Sequence, residues 1–171
     1  MNKTDNMINK HIASVQLRIE KLSLELEKRI MLHDSSKLEE PEHSMWLEMD
    51  KEKDKPAYGT SEYFERKERF AKVFEQHYNN EKNTHHPEHF LNGVDDMNII
   101  DVVEMLCDWV SYKKVISYTE ASKIIDENSE RFGISDQLAS ILKNTLRDYF
   151  VSLGGGNEEP EYLKDIKEKI K

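Results

Sequence analysis

The 171-residue chain is poor in the residues that break or cross-link a backbone, with one Cys, four Pro and six Gly. A lone Cys107 excludes an intramolecular disulfide and fits a reducing compartment. No apolar run approaches the roughly 20 residues of a membrane span, and the N-terminal MNKTDNMINK lacks a signal peptide's apolar stretch. A soluble, cytoplasmic protein with no membrane partner is expected. Basic residues are also in deficit: 25 Lys and Arg against 34 Asp and Glu leave a formal net charge of -9. Binding to duplex nucleic acid depends on Lys and Arg neutralising phosphates, so no such partner is expected. A small anionic substrate held through a metal ion remains compatible with the acidity.

What is present is helical spacing. Ile8, Ile12, Val15, Ile19, Leu22, Leu26 and Ile30 recur in steps of three and four and predict one inward helix face over about residues 5–32. A second helix is predicted from Pro41, then a surface loop through KEKDKPAYGT. Ser61 is expected to cap a third helix running to about Tyr78, with Tyr63, Phe70, Val73 and Phe74 inward. The strongly apolar stretch from about Asp95 to Tyr118 predicts a buried helix. Another follows near 119–131, ended by Gly133, and Ser135 caps a last one through about Leu153. No segment alternates as a strand between hairpin turns. The expected fold is all-α, with one helical domain over residues 1–153 and a flexible charged tail over 154–171, which offers a route to a homo-oligomer.

All seven His lie between His11 and His89. Imidazole and carboxylate together are the ligand set for Zn, Mn, Fe or Ni. A single helical His is usually a surface group or a satisfied core residue, but position singles out several here. His11 falls on the apolar stripe of the first helix, and His77 on the core-facing side after Phe70 and Phe74. An inward His needs a hydrogen-bond acceptor or a metal. His33-Asp34 within HDSSK and His85-His86 before Pro87 add adjacent donors. Along one straight helix, however, 22 residues at about 1.5 Å place His11 roughly 33 Å from His33, so a shared ion requires a chain reversal near Lys21–Leu24. Asp101, Glu104 and Asp108 share a helix face, and Asp108 is expected to be the one that turns inward. Lys37, four residues after His33, is placed to meet an anionic oxygen. His43 and His89 read as surface residues. Tyr58, Tyr63 and Trp46 read equally as packing or as a stacking platform for a base.

The ordered set of His11 with Val15, HDSSK, a later His and His-His pair, and a helical Asp resembles the HD-domain metal-dependent phosphohydrolase superfamily. HIASV, HDSSKLEEPE, HYNNEKNTHHPEHFLNG, IDVVEMLCDW and RFGISDQL are similar, over about residues 10–150, to a family of small phage and bacterial proteins of uncharacterised function. The resemblance implies an HD-like helical bundle. It also implies a centre in which His33, Asp34, His11 and Asp108 hold one divalent ion and His77, His85 and His86 a second (Mn, Fe, Ni, Zn or Mg). Asp34 and Lys37 would carry the catalysis, with Lys37 on the substrate's phosphate. The gaps from His11 to His33 and from His86 to Asp108 are short for the superfamily. The implied activity is phosphomonoesterase or phosphodiesterase action on a nucleotide or small phosphoester, in a bacterial host's cytosol if phage-encoded. The alternative is a non-catalytic helical phage protein that binds a host protein or a nucleotide, with a structural His cluster. An open coordination position separates the two, because a structural site is closed by protein ligands.

Overall fold

A computed structural model of the chain describes residues 2–52, 56–57, 59–111 and 117–150. Those residues form seven α-helices and no strand: α1 (Lys3–Leu32), α2 (Glu42–Asp50), α3 (Ser61–Arg69), α4 (Ala71–Tyr78), α5 (Ile99–Ser111), α6 (Tyr118–Phe132) and α7 (Asp136–Thr145). The chain divides into two compact units, Met1–Met105 and Leu106–Lys171, with the division falling inside α5. The tail predicted over 154–171 lies outside the described residues. No described helix is long and apolar enough to cross a membrane.

In the first unit, α1 opens with a capping box in which Asn2 accepts from the amide of Asp5 at 2.8 Å, and then runs 30 residues without a break. At 1.5 Å per residue that is about 45 Å. The chain reversal needed near Lys21–Leu24 does not form, since no Gly or Pro interrupts the hydrogen-bond ladder there. The predicted inward face of α1 is also corrected. None of its residues is buried, and Ile8 and Ile19 stay 49% and 61% exposed. Only the last turn enters the folded body, through Arg29 and His33.

After α1 the chain turns through a 3-10 turn, Ser35–Leu38, and a cis Glu40–Pro41 bond into α2, whose buried residues are Glu42 and Met49. One helix was expected from Ser61 to Tyr78. Instead Thr60 is the cap, accepting from the amide of Tyr63 at 3.2 Å, and the helix breaks at Phe70 (φ -101°, ψ 22°) to give α3 and α4. The break turns α4 so that Val73 and His77 are its buried residues. Turns over Pro87–His89 and Gly93–Asp96 carry the connector to α5. Asn98 caps α5, its Oδ1 accepting from the amide of Ile100 at 2.8 Å, so the helix begins at Ile99 and not near Asp95. Ile100, Val102 and Met105 are buried there, and so are Asp101 and Glu104.

The second unit begins with the end of α5, where Trp109 stacks on Phe132 of α6 with ring centroids 6.0 Å apart. A Ser117–Glu120 capping box starts α6, and Gly133 ends it in the left-handed conformation (φ 66°) that glycine adopts without a Cβ clash. Ser135 caps α7, which stops at Thr145 and continues as a π-turn, Leu146–Phe150. Ile125, Leu142 and Leu146 fill the core of this unit.

Candidate metal centre

The site is built at the corner where α1 ends. The amide of His33 still donates to the carbonyl of Arg29 at 2.8 Å, but His33 itself leaves helical geometry (φ -49°, ψ 123°). Asp34 then adopts the left-handed region (φ 54°, ψ 13°), which Asp tolerates better than most residues. This strained step turns the Asp34 carboxylate towards three imidazoles. Its Oδ2 lies 3.6 Å from Nε2 of His33, and its Oδ1 lies 3.3 Å from Nε2 of His77 and 3.6 Å from Nε2 of His85. His86 joins through His77, their Nε2 atoms 2.9 Å apart.

The opposite edges of three of these rings are held by two glutamates. Nδ1 of His77 faces Oε1 of Glu42 at 2.6 Å. Nδ1 of His33 and of His85 both face Oε1 of Glu104, at 2.9 and 3.2 Å. Asn83 also lies 2.9 Å from Nδ1 of His77, but its amide donates to the Ser36 hydroxyl and the His77 carbonyl, which leaves the Nδ1 proton to Glu42. A ring that donates from Nδ1 to a carboxylate presents its Nε2 lone pair, the arrangement that orients metal-ligating His. Here those lone pairs converge on Asp34.

The cluster is buried and its charges are fixed. His77, His85, Glu42 and Asn83 are each 2% exposed or less. Burial pushes the Asp34 carboxyl up, but the His77 ring and the Lys37 ammonium beside it outweigh that and hold Asp34 well below the usual carboxylate range. Glu104 is likewise raised by burial and brought down to about 2 by hydrogen bonds from His33, His85 and Arg29. Burial, with His85 and His77 alongside, lowers His86 to about 2 and keeps it neutral.

Asp34, His77, His85 and His86 each offer a ligand atom, all within 4.8 Å of one another, and so have the geometry to hold a metal ion. The fit is supported by buried atoms facing each other that the described residues leave without a hydrogen bond: Oδ1 of Asp34 and Nε2 of His85. An unsatisfied buried polar atom costs about 1–3 kcal/mol, and a cation at this point would relieve both at once. His33, His85 and Glu104 form another close group, but Arg29 already occupies the second Glu104 oxygen at 2.9 Å. That group is a hydrogen-bonded bracket, where a guanidinium opposes a further cation.

The bracket was not foreseen in the sequence. Arg29 donates to Asp101 and Glu104, both at 2.9 Å, and to the Thr84 hydroxyl at 2.6 Å. It ties the end of α1 to the start of α5 and aims Glu104 at His33 and His85. Of the three acids sharing the α5 face, Asp101 and Glu104 are buried within the first unit, and Glu104 is the one that faces the imidazoles. Asp108 lies one turn later, half-buried, in the second unit. Glu42 was likewise missed. Its only sequence signal was a position just after Pro41, at the start of a helix.

Other expected positions divide. His11 is exposed on the continuous α1, about 33 Å along the axis from His33, and does not join the cluster. Lys37 does reach it, its Nζ 2.5 Å from Oδ2 of Asp34 and 5.1 Å from the centre of the Trp46 ring. Trp46 is a packing residue, edge-on to Phe74 and His77 and donating to Glu42 at 2.9 Å. Tyr63 is half-buried, and Tyr58 lies outside the described residues. His43 is half-buried near Glu40. His89, expected at the surface, is half-buried, with Nδ1 2.7 Å from the Tyr78 carbonyl.

A family of unknown function, DUF5662, matches residues 1–148. The chain belongs to that family. The DUF5662 match takes in all seven helices and every residue of the His cluster, from His33 to Glu104. No curated protein and no solved structure matches the chain.

Proposed function

We propose that the chain is a metal-dependent phosphohydrolase of the HD type, acting on a nucleotide or a small phosphoester. One observation carries this. The Nε2 atoms of His33, His77 and His85 lie 3.3–3.6 Å from the Asp34 carboxylate while a glutamate oxygen lies 2.6–3.2 Å from Nδ1 of each. Three oriented imidazoles around an anionic carboxylate offer a divalent cation the mixed N and O donors it would need.

Asp34, His77, His85 and His86 would hold an ion, with His33 at the edge. A bound divalent ion supplies Lewis acidity and lowers the pKa of water for attack on phosphorus. The chain's own residues do the rest. Asp34 stays anionic, and His86 stays neutral and available as a donor. His33 and Lys37, each with a side chain 35% exposed, mark the side from which a substrate reaches the buried rings. Lys37 Nζ, held on Asp34, would meet the phosphate oxygens as charge builds on them. A structural site is closed by protein ligands, and an edge open to solvent leaves room for the water or substrate that a catalytic site keeps.

The test is phosphate release from a panel of nucleotides, together with a generic phosphodiester. Each divalent ion would be compared in wild type, Asp34→Asn and Lys37→Gln. Metal-dependent turnover is expected in the wild type, lost in Asp34→Asn and reduced about 100-fold or more in Lys37→Gln. Metal-loaded protein that releases no phosphate from any substrate would leave a non-catalytic metal-binding protein.

A further inference from the structure

The N-terminal two-thirds of α1 is the largest unexplained feature of the fold. A 30-residue helix normally takes its stability from packing one apolar face, yet no residue of α1 is buried. Its apolar residues are spaced in an alternating 4-3 rhythm: Ile8, Ile12, Val15, Ile19, Leu22, Leu26. That is a heptad seam, with Ile12, Ile19 and Leu26 at one core position and Ile8, Val15 and Leu22 at the other. Five of these six are 40–61% exposed. A contiguous apolar stripe of this kind in water marks an interaction surface. The seam stops at Leu26 because the next core positions are Arg29 and His33, which turn to Asp101 and Glu104.

We infer that this seam pairs with its own copy, making the protein an antiparallel two-helix coiled-coil dimer through α1. Two observations select this occupant. The first is coverage. Beyond the glycine run, residues 157–171 carry only Tyr162, Leu163, Ile166 and Ile170 as large apolar side chains, too few to cover six seam positions spanning about 27 Å. The second is charge. The flanking positions are His11, Arg18 and Glu25 on one side and Asn9, Gln16 and Ser23 on the other. In a parallel pair Arg18 would meet Ser23, and Glu25 would meet Ile30, with no ion pair formed. In the antiparallel pair that stacks Ile19 on Leu22 and Val15 on Leu26, the four central seam positions are covered and Arg18 of each copy meets Glu25 of the other, twice by symmetry. A sparser row on the opposite face, Leu17, Leu24 and Met31, repeats only every seventh residue between charges and forms no second seam.

The test is the mass of the full chain by analytical ultracentrifugation over a concentration series, beside an Ile19→Glu/Leu22→Glu variant. Both sites are exposed on one helix, and Leu22 is about 16 Å from His33 along the axis. Twice the monomer mass is expected for the wild type and the monomer mass for the variant, with unchanged circular dichroism. Orientation is read from charge reversal. Arg18→Glu should weaken the dimer severalfold, and adding Glu25→Arg should restore it. A monomeric wild type, or a dimer that survives the two glutamates, would overturn the inference. So would a monomer whose melting temperature falls in the variant, since its own chain would then cover the seam. Charge reversal without effect would overturn the antiparallel pairing.

Discussion

Oε1 of Glu42 lies 2.6 Å from Nδ1 of His77, with both side chains 2–3% exposed. This contact fixes which nitrogen of His77 carries the proton and turns Nε2 to Asp34. Glu42 also accepts from the Trp46 indole at 2.9 Å and is held below the usual carboxylate range: burial raises it, and hydrogen bonds from Trp46, Ser36 and His77 bring it down. Its place is to orient a ligand without contacting a substrate.

Glu42→Gln is expected to keep the fold, because the amide oxygen still accepts from Trp46, and to weaken metal affinity about 10–100-fold. Competition against a chromogenic chelator measures this. Wild-type affinity in the variant would remove Glu42 from the orienting role.

Arg29 is the second point of leverage. Its fork spans Asp101 and Glu104, both at 2.9 Å, so Arg29→Met would strand two buried carboxylates. Removing one partner of a buried charge network costs about 3–5 kcal/mol. Arg29→Lys keeps the charge without the planar fork and should fall between. Thermal melts of the three proteins give the order. Equal melting temperatures for wild type and Arg29→Met would show that the bracket contributes no stability.

The metal-free protein should lose stability on acidification earlier than ordinary carboxylate titration would bring. Burial and the neighbouring His85 and His77 lower His86 to about 2 from an ordinary 6.5. Glu104 is lowered to about 2 from 4.5. In both cases the unfolded chain takes up a proton that the folded chain refuses. Stability therefore declines as pH falls through about 6.5 for His86, again through 4.5 for Glu104, and on towards about 2. Each group contributes a slope of up to about 1.4 kcal/mol per pH unit. Urea midpoints of metal-free protein between about pH 7 and about pH 5 report the His86 part. A flat profile across that interval would contradict a buried neutral His86.

Much of the fold was legible because helix punctuation is local chemistry. Ser135 and Gly133 act where their side chain and backbone require, and α6 and α7 start and stop accordingly. The break at Phe70 was not legible, since no Gly or Pro marks it and tertiary packing of Val73 and His77 fixes the direction of α4. Periodicity identified the apolar stripe on α1 but not what it faces, because the pattern of a core helix and that of an interaction seam are the same until burial is known. In the site, His33, Asp34, His77, His85 and His86 stood out as residue types suited to metal binding. Glu42 and Arg29 did not, and Glu104 was passed over for Asp108, since acids and bases abound in this chain and only contacts across 35 to 75 residues distinguish these three. His11 looked inward on periodicity alone, and the unbroken length of α1 removes it.

A bound metal is the central expectation for this cluster. Plasma mass spectrometry of tag-free protein should find one or two equivalents of Mn, Fe, Ni or Zn, and none in a His33→Ala/Asp34→Ala variant that still melts cooperatively. Wild-type protein that carries no metal, even after incubation with each ion and desalting, would contradict it.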